Sequence, residues 1–352
     1  MREVCNFFLS CLLAALLFAV PLAVCLSPGM RILESERRQS AAFPDLPSAL
    51  RYRDITRFFR RLDDFFADHF PLRTSLLTLS MALHEVADDN LNTDKCYQGK
   101  GNWLFLGNGY HRCVDKLQGG LVLAGKDLRR QTEVYGKIRA AAEHCGAEFF
   151  IFIGPNKSSI YPEYLPPIVT PAQQRYISPL LNSLRKEGVK VYDPTERLVG
   201  VKRAGLLYYR TDTHWNDRGA YEAFAGFREY AGLPALPSLF FAAAPPFRGD
   251  LVYSGGYGYT SFPLSAGDNF TLHWAVPFVP HEADGLITNN HATSNKTAWV
   301  FGDSFAMALR PYIEATFKEV RFFRHGDFEA AVASQDSKPD IVLWITVERD
   351  FV

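Results

Sequence analysis

The 352-residue chain has no surplus charge of either sign: 38 lysines and arginines stand against 38 aspartates and glutamates. A nucleic-acid or anionic-membrane partner demands a basic excess or patch, so neither is expected. Beyond residue 25 the only cysteines are Cys96, Cys113 and Cys145, with no CxxC pair and no metal-spaced Cys/His set. A structural zinc site is therefore not expected. The sequence also lacks a Gly-x-Ser-x-Gly elbow, a phosphate-binding glycine loop, internal repeats and low-complexity tracts. What is present argues against disorder. Hydrophobic residues make up 47% and aromatics 14%, with 28 Phe and 16 Tyr, which is enough for a sizeable core. The length suits one large α/β domain, or one domain with an accessory lobe. A neutral, aromatic-rich protein suits a neutral or weakly charged ligand such as a sugar polymer.

Val4 to Leu26 is apolar apart from Asn6 and Ser10, close to the roughly 20 residues that a bilayer-spanning helix needs. Residues 1–30 therefore read as a retained signal anchor or a cleaved signal peptide. Arg31, Arg37 and Arg38 just beyond it favour a cytoplasmic body under the positive-inside rule. An N-terminal apolar segment ahead of a large soluble body is more often an export signal, and export is the reading adopted. Residues 31–50, polar and proline-containing, read as a linker. Residues 51–352 read as the functional domain, with 51–120 a helical and hairpin extension at its start. Cys96 and Cys113 flank the stretch Tyr97 to Arg112. In an oxidising compartment a bridge there would close a short loop, worth about 3 kcal/mol; the alternative is three buried thiols.

Apolar residues at helical spacing predict helices over 51–67, 74–87, 124–143, 172–186, 217–230 and 305–317. Short apolar runs predict strands over 103–106, 149–153, 189–192, 206–209, 298–301, 320–323 and 341–347. The run Phe149-Phe150-Ile151-Phe152-Ile153 is apolar at every position, as a strand covered on both faces is. Residues 232–297 are long, rich in Pro and Gly, and read as irregular. Alternating β and α elements predict a doubly wound, mainly parallel sheet with helices on both faces. Ligands of such sheets sit beyond the strands' C-terminal ends. Asn156, His214 and Ser304 all follow predicted strands.

Two motifs carry chemistry. Gly302-Asp303-Ser304 joins a strand to a helix, where a hydroxyl is presented at the sheet edge beside backbone N–H groups at the helix start; Asp and Ser are equally ordinary helix caps. In Asp212-Thr213-His214, an extended segment puts residues two apart on one side. Asp212 then fixes the imidazole tautomer and leaves the other nitrogen as a base, which a neutral serine needs to become nucleophilic. Asp212 or Asn216 capping the next helix is the competing explanation. Trp215 falls beside this site or in the core. Lys157 reads as a solvated loop charge, and Asp250 as structural.

With these residues in view, the chain resembles the periplasmic alginate O-acetyltransferase family, a group of SGNH-hydrolase-like exopolysaccharide acetyltransferases. The resemblance runs through Arg37 to Pro44, Phe66 to Arg73, Gly101-Asn102-Trp103-Leu104-Phe105-Leu106, Pro155-Asn156-Lys157 with Tyr161-Pro162, Asp212-Thr213-His214-Trp215, Gly302-Asp303-Ser304-Phe305 and Glu348-Arg349. It implies a three-layer α/β/α SGNH-like domain in permuted order, with the Asp-x-His pair before the Ser. It implies acetyl transfer to polysaccharide hydroxyls by Ser304 as nucleophile, His214 as base and Asp212 as orienting carboxylate, with no metal or other cofactor. It further implies a periplasmic place, an exopolysaccharide acceptor, a multi-span membrane acyltransferase as donor of the acetyl group, and other polysaccharide-export proteins as partners. The chain looks like the shorter, anchored members that lack a C-terminal carbohydrate-binding module. By analogy the Ser304 N–H is one oxyanion donor, with Asn156, Arg310 or Arg324 as the second. Tyr253, Tyr257, Tyr259 and Trp274 offer stacking platforms for sugar, or ordinary loop packing. The same triad would serve an acetylesterase, and a polymer-binding scaffold without chemistry is the remaining alternative.

Overall fold

The run 149–153, apolar throughout, and the run 341–347, apolar except for Thr346, are adjacent central strands in the structure, a computed structural model. It describes residues 29–45, 55–87, 94–246, 248–264, 266–276, 278–334 and 338–351. The expected membrane segment, residues 4–26, lies outside the described residues, among which no helix is long and apolar enough to cross a membrane.

The described residues fall into two compact units. One combines positions before residue 92 with Val252–Phe262; the other holds the remainder. The larger unit is built on a seven-stranded sheet of β1 (Glu148–Gly154), β2 (Lys190–Tyr192), β3 (His281–Ala283), β4 (Leu286–Thr288), β5 (Ser294–Gly302), β6 (Phe317–Phe323) and β7 (Ile341–Val347). Their order across the sheet is β2-β1-β7-β5-β6-β4-β3. The first five positions run parallel. The β3–β4 hairpin adds antiparallel to the edge at β6.

Side-chain alternation makes the layers. Along β1, Phe150 and Phe152 join one core, while Phe149, Ile151 and Ile153 join the other. Helices α3 (Asp217–Tyr230) and α4 (Ser304–Thr316) cover the first face through Phe224, Phe227, Phe305 and Leu309. Helices α1 (Gly125–His144), α2 (Ser178–Lys186) and α5 (Phe328–Ser334) cover the second through Tyr135, Leu180, Leu184 and Phe328. Each such large side chain removed from water contributes about 1.5–3 kcal/mol. This is the expected three-layer α/β/α arrangement.

Register places the chemistry at one rim. Gly302 at the end of β5 pairs with Ile345, and Val347 at the end of β7 pairs with Gly154 at the end of β1. Three strand ends and the loops they open therefore meet at the sheet's C-terminal edge.

Several expectations are corrected. Residues 206–209 form no strand; only an isolated bridge joins Tyr208 to Trp215. The region 232–297 is not irregular throughout: Leu239–Ala243 pairs antiparallel with Phe270–Trp274, and it supplies β3 and β4. These pieces are three to five residues long, too short to display a period in sequence. The stretch expected as a linker carries a hairpin, Ile32–Leu33 with Arg38–Gln39. In that smaller unit Arg38 grips Asp68 through two nitrogens at 2.7 and 2.6 Å. Arg73 pairs with Glu36 at 2.5 Å, and Tyr259 bonds to both Glu36 and Arg73. Glu36, Arg38, Asp68 and Arg73 thus serve one another within the unit, and Tyr259 is committed to them. The Cys96–Cys113 bridge is absent: both are free thiols. Cys96 is buried on its strand, and Cys113 donates instead to Tyr110 O at 2.6 Å. Burial pushes both thiols up, to about 12 and about 11 respectively.

Candidate active site

Ser304 is the first residue of α4, and the helix cap is its neighbour Asp303. The Asp303 carboxylate accepts the Phe305 N–H at 2.8 Å and the Val347 N–H at 2.6 Å. It therefore caps the helix and ties the end of β5 to the end of β7. Burial pushes this carboxyl above its ordinary range despite those two bonds. Ser304 itself is left exposed, and its N–H has no acceptor among the described residues, at the positive end of a helix.

The hydroxyl meets a base from 90 residues earlier. His214 Nε2 lies 2.8 Å from Ser304 Oγ, and His214 Nδ1 lies 2.6 Å from Asp212 Oδ1. Asp212 Oδ1 also accepts the His214 N–H at 3.0 Å, and Oδ2 accepts the Asp250 N–H at 2.9 Å. A carboxylate facing Nδ1 places the proton there, which leaves Nε2 as the acceptor for the serine proton. Burial alone would lower the imidazole's pKa. The Asp212 hydrogen bond and the charges of Asp212 and Asp250 outweigh it, so the ring is held above the usual histidine value. Asp212 likewise would be raised by burial, but His214 holds it below the usual carboxylate range.

Asp250 is the carboxylate that sequence reading left as structural. It accepts the Thr213 N–H at 2.8 Å and the Thr213 hydroxyl at 2.6 Å, and its Oδ2 is 3.8 Å from His214 Nδ1. Burial first, and then the Asp212 charge, raise its pKa. Nothing local in Gly249-Asp250 signals the contact with Thr213, which spans 37 residues. Asp212, His214 and Asp250 have ligand atoms within 4.8 Å of one another, the make-up of a small metal site. But Nδ1 is turned to a carboxylate and Nε2 to a hydroxyl, which fits proton transfer better than ligation.

Gly249 lets this loop close. A Cβ there would lie 2.3 Å from Thr211 O and 2.5 Å from Asp212 Cβ. Gly249→Ala is expected to push Asp212 off His214 and cut activity by roughly 10²-fold. Steady-state kinetics beside a thermal melt checks this; wild-type kinetics would show that the loop yields freely.

The other expected residues divide. Trp215 is not at the surface: it is 1% exposed, packed edge-on against Phe305 at 4.9 Å, and so supports the site from below. Arg310 is turned to Glu282 and Glu314 at 2.8 and 2.5 Å, which withdraws it from any oxyanion. Arg324 is exposed in the turn before α5, its N–H held by Asp327 Oδ2 at 3.0 Å, rather than at the triad. Asn156 stands at the correct rim, after β1, with its N–H donated to Glu348 at 2.8 Å and its carboxamide oxygen 3.5 Å from Arg349. No polar contact joins it to Ser304 among the described residues. Glu348 is also held by Arg175 at 2.7 Å, so the Glu348-Arg349 motif organises the end of β7. Arg349 lies over the Phe305 ring at 5.6 Å. With Asn156 and Arg175 it lines a cavity of about 150 Å³.

Lys157 departs furthest from expectation. It is no solvated charge: it is 5% exposed, and its Nζ donates to the carbonyls of Tyr209, Arg210 and Asp212 at 3.0, 3.0 and 2.7 Å.

Known proteins share this frame. Residues 96–228 match the family described as "SGNH hydrolase-like domain, acetyltransferase AlgX". No curated protein sequence matches the chain. Among solved structures, the O-acetyltransferase domain of Pseudomonas putida AlgJ is 18% identical with a TM-score of 0.50, covering 73% of this chain and 92% of that one. Bacillus cereus PatB1 is 15% identical with a TM-score of 0.51, covering 73% and 96%. A DHHW family protein from Eubacterium siraeum is 16% identical with a TM-score of 0.50, covering 73% and 91%. At these identities the structures speak for a common fold. Over residues 96–228, then, the chain is similar to the SGNH hydrolase-like domain of that family, and over most of its length it shares the fold of these structures.

Proposed function

We propose that the protein is a serine O-acetyltransferase that works on hydroxyls of a bacterial exopolysaccharide, alginate-like or cellulose-like. The observation that carries this reading is the relay Asp212–His214–Ser304, with its two contacts of 2.6 and 2.8 Å. In the first half, Ser304 Oγ attacks the acetyl carbonyl as His214 Nε2 takes its proton. The donor's alkoxide then leaves with that proton, and acetyl-serine remains. The Ser304 N–H, without another acceptor, faces the oxyanion from the helix start. In the second half, His214 takes the proton of a sugar hydroxyl, whose oxygen attacks the acetyl-serine carbonyl. Collapse returns the proton to Ser304 and releases the acetylated sugar. Asn156 is proposed as the second oxyanion or acceptor contact, on its place at the rim.

The family match over residues 96–228, which include Asp212 and His214, supports transfer in preference to plain hydrolysis. The apolar stretch in residues 1–30, read as an export signal, is the basis for proposing a periplasmic location, anchored to the inner membrane or released by cleavage. A membrane-bound O-acyltransferase is the proposed source of the acetyl group, alongside other export proteins. The test offers polymer and water together with an activated acetyl ester. Acetylated polymer in excess of free acetate is the expected result. Free acetate alone would establish an esterase, and neither product, with polymer still bound, would establish a scaffold.

A further inference from the structure

Lys157 follows the end of β1 by three residues and sits in the first turn of the short helix Lys157–Ile160. Its side chain crosses to the segment that bears the catalytic base. Three carbonyls converge on Nζ, and the shortest contact, 2.7 Å, is to Asp212 itself. The carbonyl of Arg210 also takes the Leu104 N–H at 2.9 Å, so the segment is gripped from two sides. The rings of Trp103 and Phe105 lie 5.7 and 5.4 Å from the ammonium and complete its enclosure.

We propose that Lys157 is a positioning residue: its ammonium, through three carbonyls at once, holds the Asp212–His214 segment in register with Ser304. The inference rests on the proposed acyl-transfer reading. Its physical basis is a donor count. An ammonium has three N–H groups for three oxygens. A neutral amine has two, and its lone pair would face the third oxygen. A methionine has none. A surface lysine serves no such purpose, so burial of this costly charge calls for a return in geometry.

The charged and titratable groups around the ammonium are Asp212, Asp250, Asp268 and the Cys96 thiol. Burial depresses Lys157 to about 8, and those groups oppose the shift without cancelling it. The grip therefore weakens as pH rises through about 8. The linkage has the opposite sign for stability. In the same window the unfolded lysine still holds the proton that the folded one has shed, so this group makes unfolding harder as pH rises. A lysine without a positioning role would show the same stability trend and no fall in rate, so the rate is the readout that separates the two.

The experiment follows acylation of Ser304 by p-nitrophenyl acetate, corrected for spontaneous hydrolysis, on the full chain in detergent, beside thermal melts. In the wild type the acylation rate is expected to fall as pH rises through about 8 while the melting temperature does not fall. Lys157→Met is expected to lose about 10²-fold in kcat at neutral pH, with KM changed far less, and to lose the alkaline fall. Lys157→Arg keeps its charge at every pH and is expected to show no alkaline fall, whatever its absolute rate. The low-field proton resonance of the His214–Asp212 hydrogen bond is a readout that needs no turnover. It is expected in the wild type and in Ser304→Ala, and to fade through the same alkaline window. Near-wild-type acylation by Lys157→Met, or an alkaline fall that survives in it, overturns the proposal. If Lys157→Met does not fold, a wild-type rate that is flat between about pH 7 and pH 10 overturns it alone. Absence of any acyl-enzyme in the wild type, with the resonance present, would instead count against the acyl-transfer reading.

Discussion

Ser304→Ala is expected to abolish acyl-enzyme formation and to lower polymer acetylation by about 10⁴-fold or more, while leaving the fold in place. The two halves of this result have separate causes. The rate falls because Ser304 Oγ is the only hydroxyl that His214 Nε2 faces among the described residues, at 2.8 Å. Stability holds because Ser304 is not the cap of α4. Asp303 is, with its carboxylate on Phe305 and Val347. The Ser304 side chain is exposed, and a surface substitution of this kind shifts stability by about 0.5 kcal/mol at most. Mass spectrometry after exposure to an activated acetyl ester checks the first half, looking for one acetyl group on the peptide that contains Ser304. Thermal denaturation checks the second. An alanine variant that still acetylates polymer would remove the serine mechanism.

The layered sheet was legible because its central strands are almost wholly apolar. Phe149 to Ile153 read as a strand covered on both faces and Ile341 to Val347 as an apolar strand, and the structure buries both on two faces. The pairing of Asp212 with His214 was legible because it is local, two residues apart in an extended segment. What sequence did not display is what depends on closure over distance. Asp250 reaches Thr213 across 37 residues, and Lys157 reaches the Asp212 carbonyl across 55. In sequence an aspartate after glycine shows no partner, and a lysine in a loop has the look of a solvated charge. Only the packed chain shows which carbonyls and amides surround it. The same limit applies to Arg310 and Arg324, which were named by analogy as oxyanion donors. Arg310 lies six residues into α4 and answers two glutamates there. Trp215 follows His214 directly, yet alternation turns it inward, beneath the site.

The second large effect concerns which carboxylate makes the base. His214 Nδ1 has Asp212 at 2.6 Å and Asp250 at 3.8 Å. Only the first distance is a hydrogen bond, so Asp212 fixes the tautomer and Asp250 adds charge. Asp212→Asn keeps the shape but offers a carboxamide whose NH₂ competes for Nδ1, which favours the wrong tautomer. The expected loss is about 10³- to 10⁴-fold in kcat. Asp250→Asn leaves the tautomer intact and is expected to cost far less. The acid limb of the rate profile separates the two further. Acylation needs the neutral imidazole, whose pKa these carboxylates hold above the ordinary histidine value. In the wild type the rate therefore falls, as pH drops, at a point above about 6.5. Either substitution removes a negative neighbour, so the limb moves to lower pH, further for Asp212→Asn because the bond is lost with the charge. The measurement is kcat/KM for a small activated ester across the acid range in all three proteins. If Asp212→Asn stays within tenfold of wild type with its acid limb unmoved, the contact of 2.6 Å organises the loop rather than the base, and the carboxylate has no part in transferring the proton.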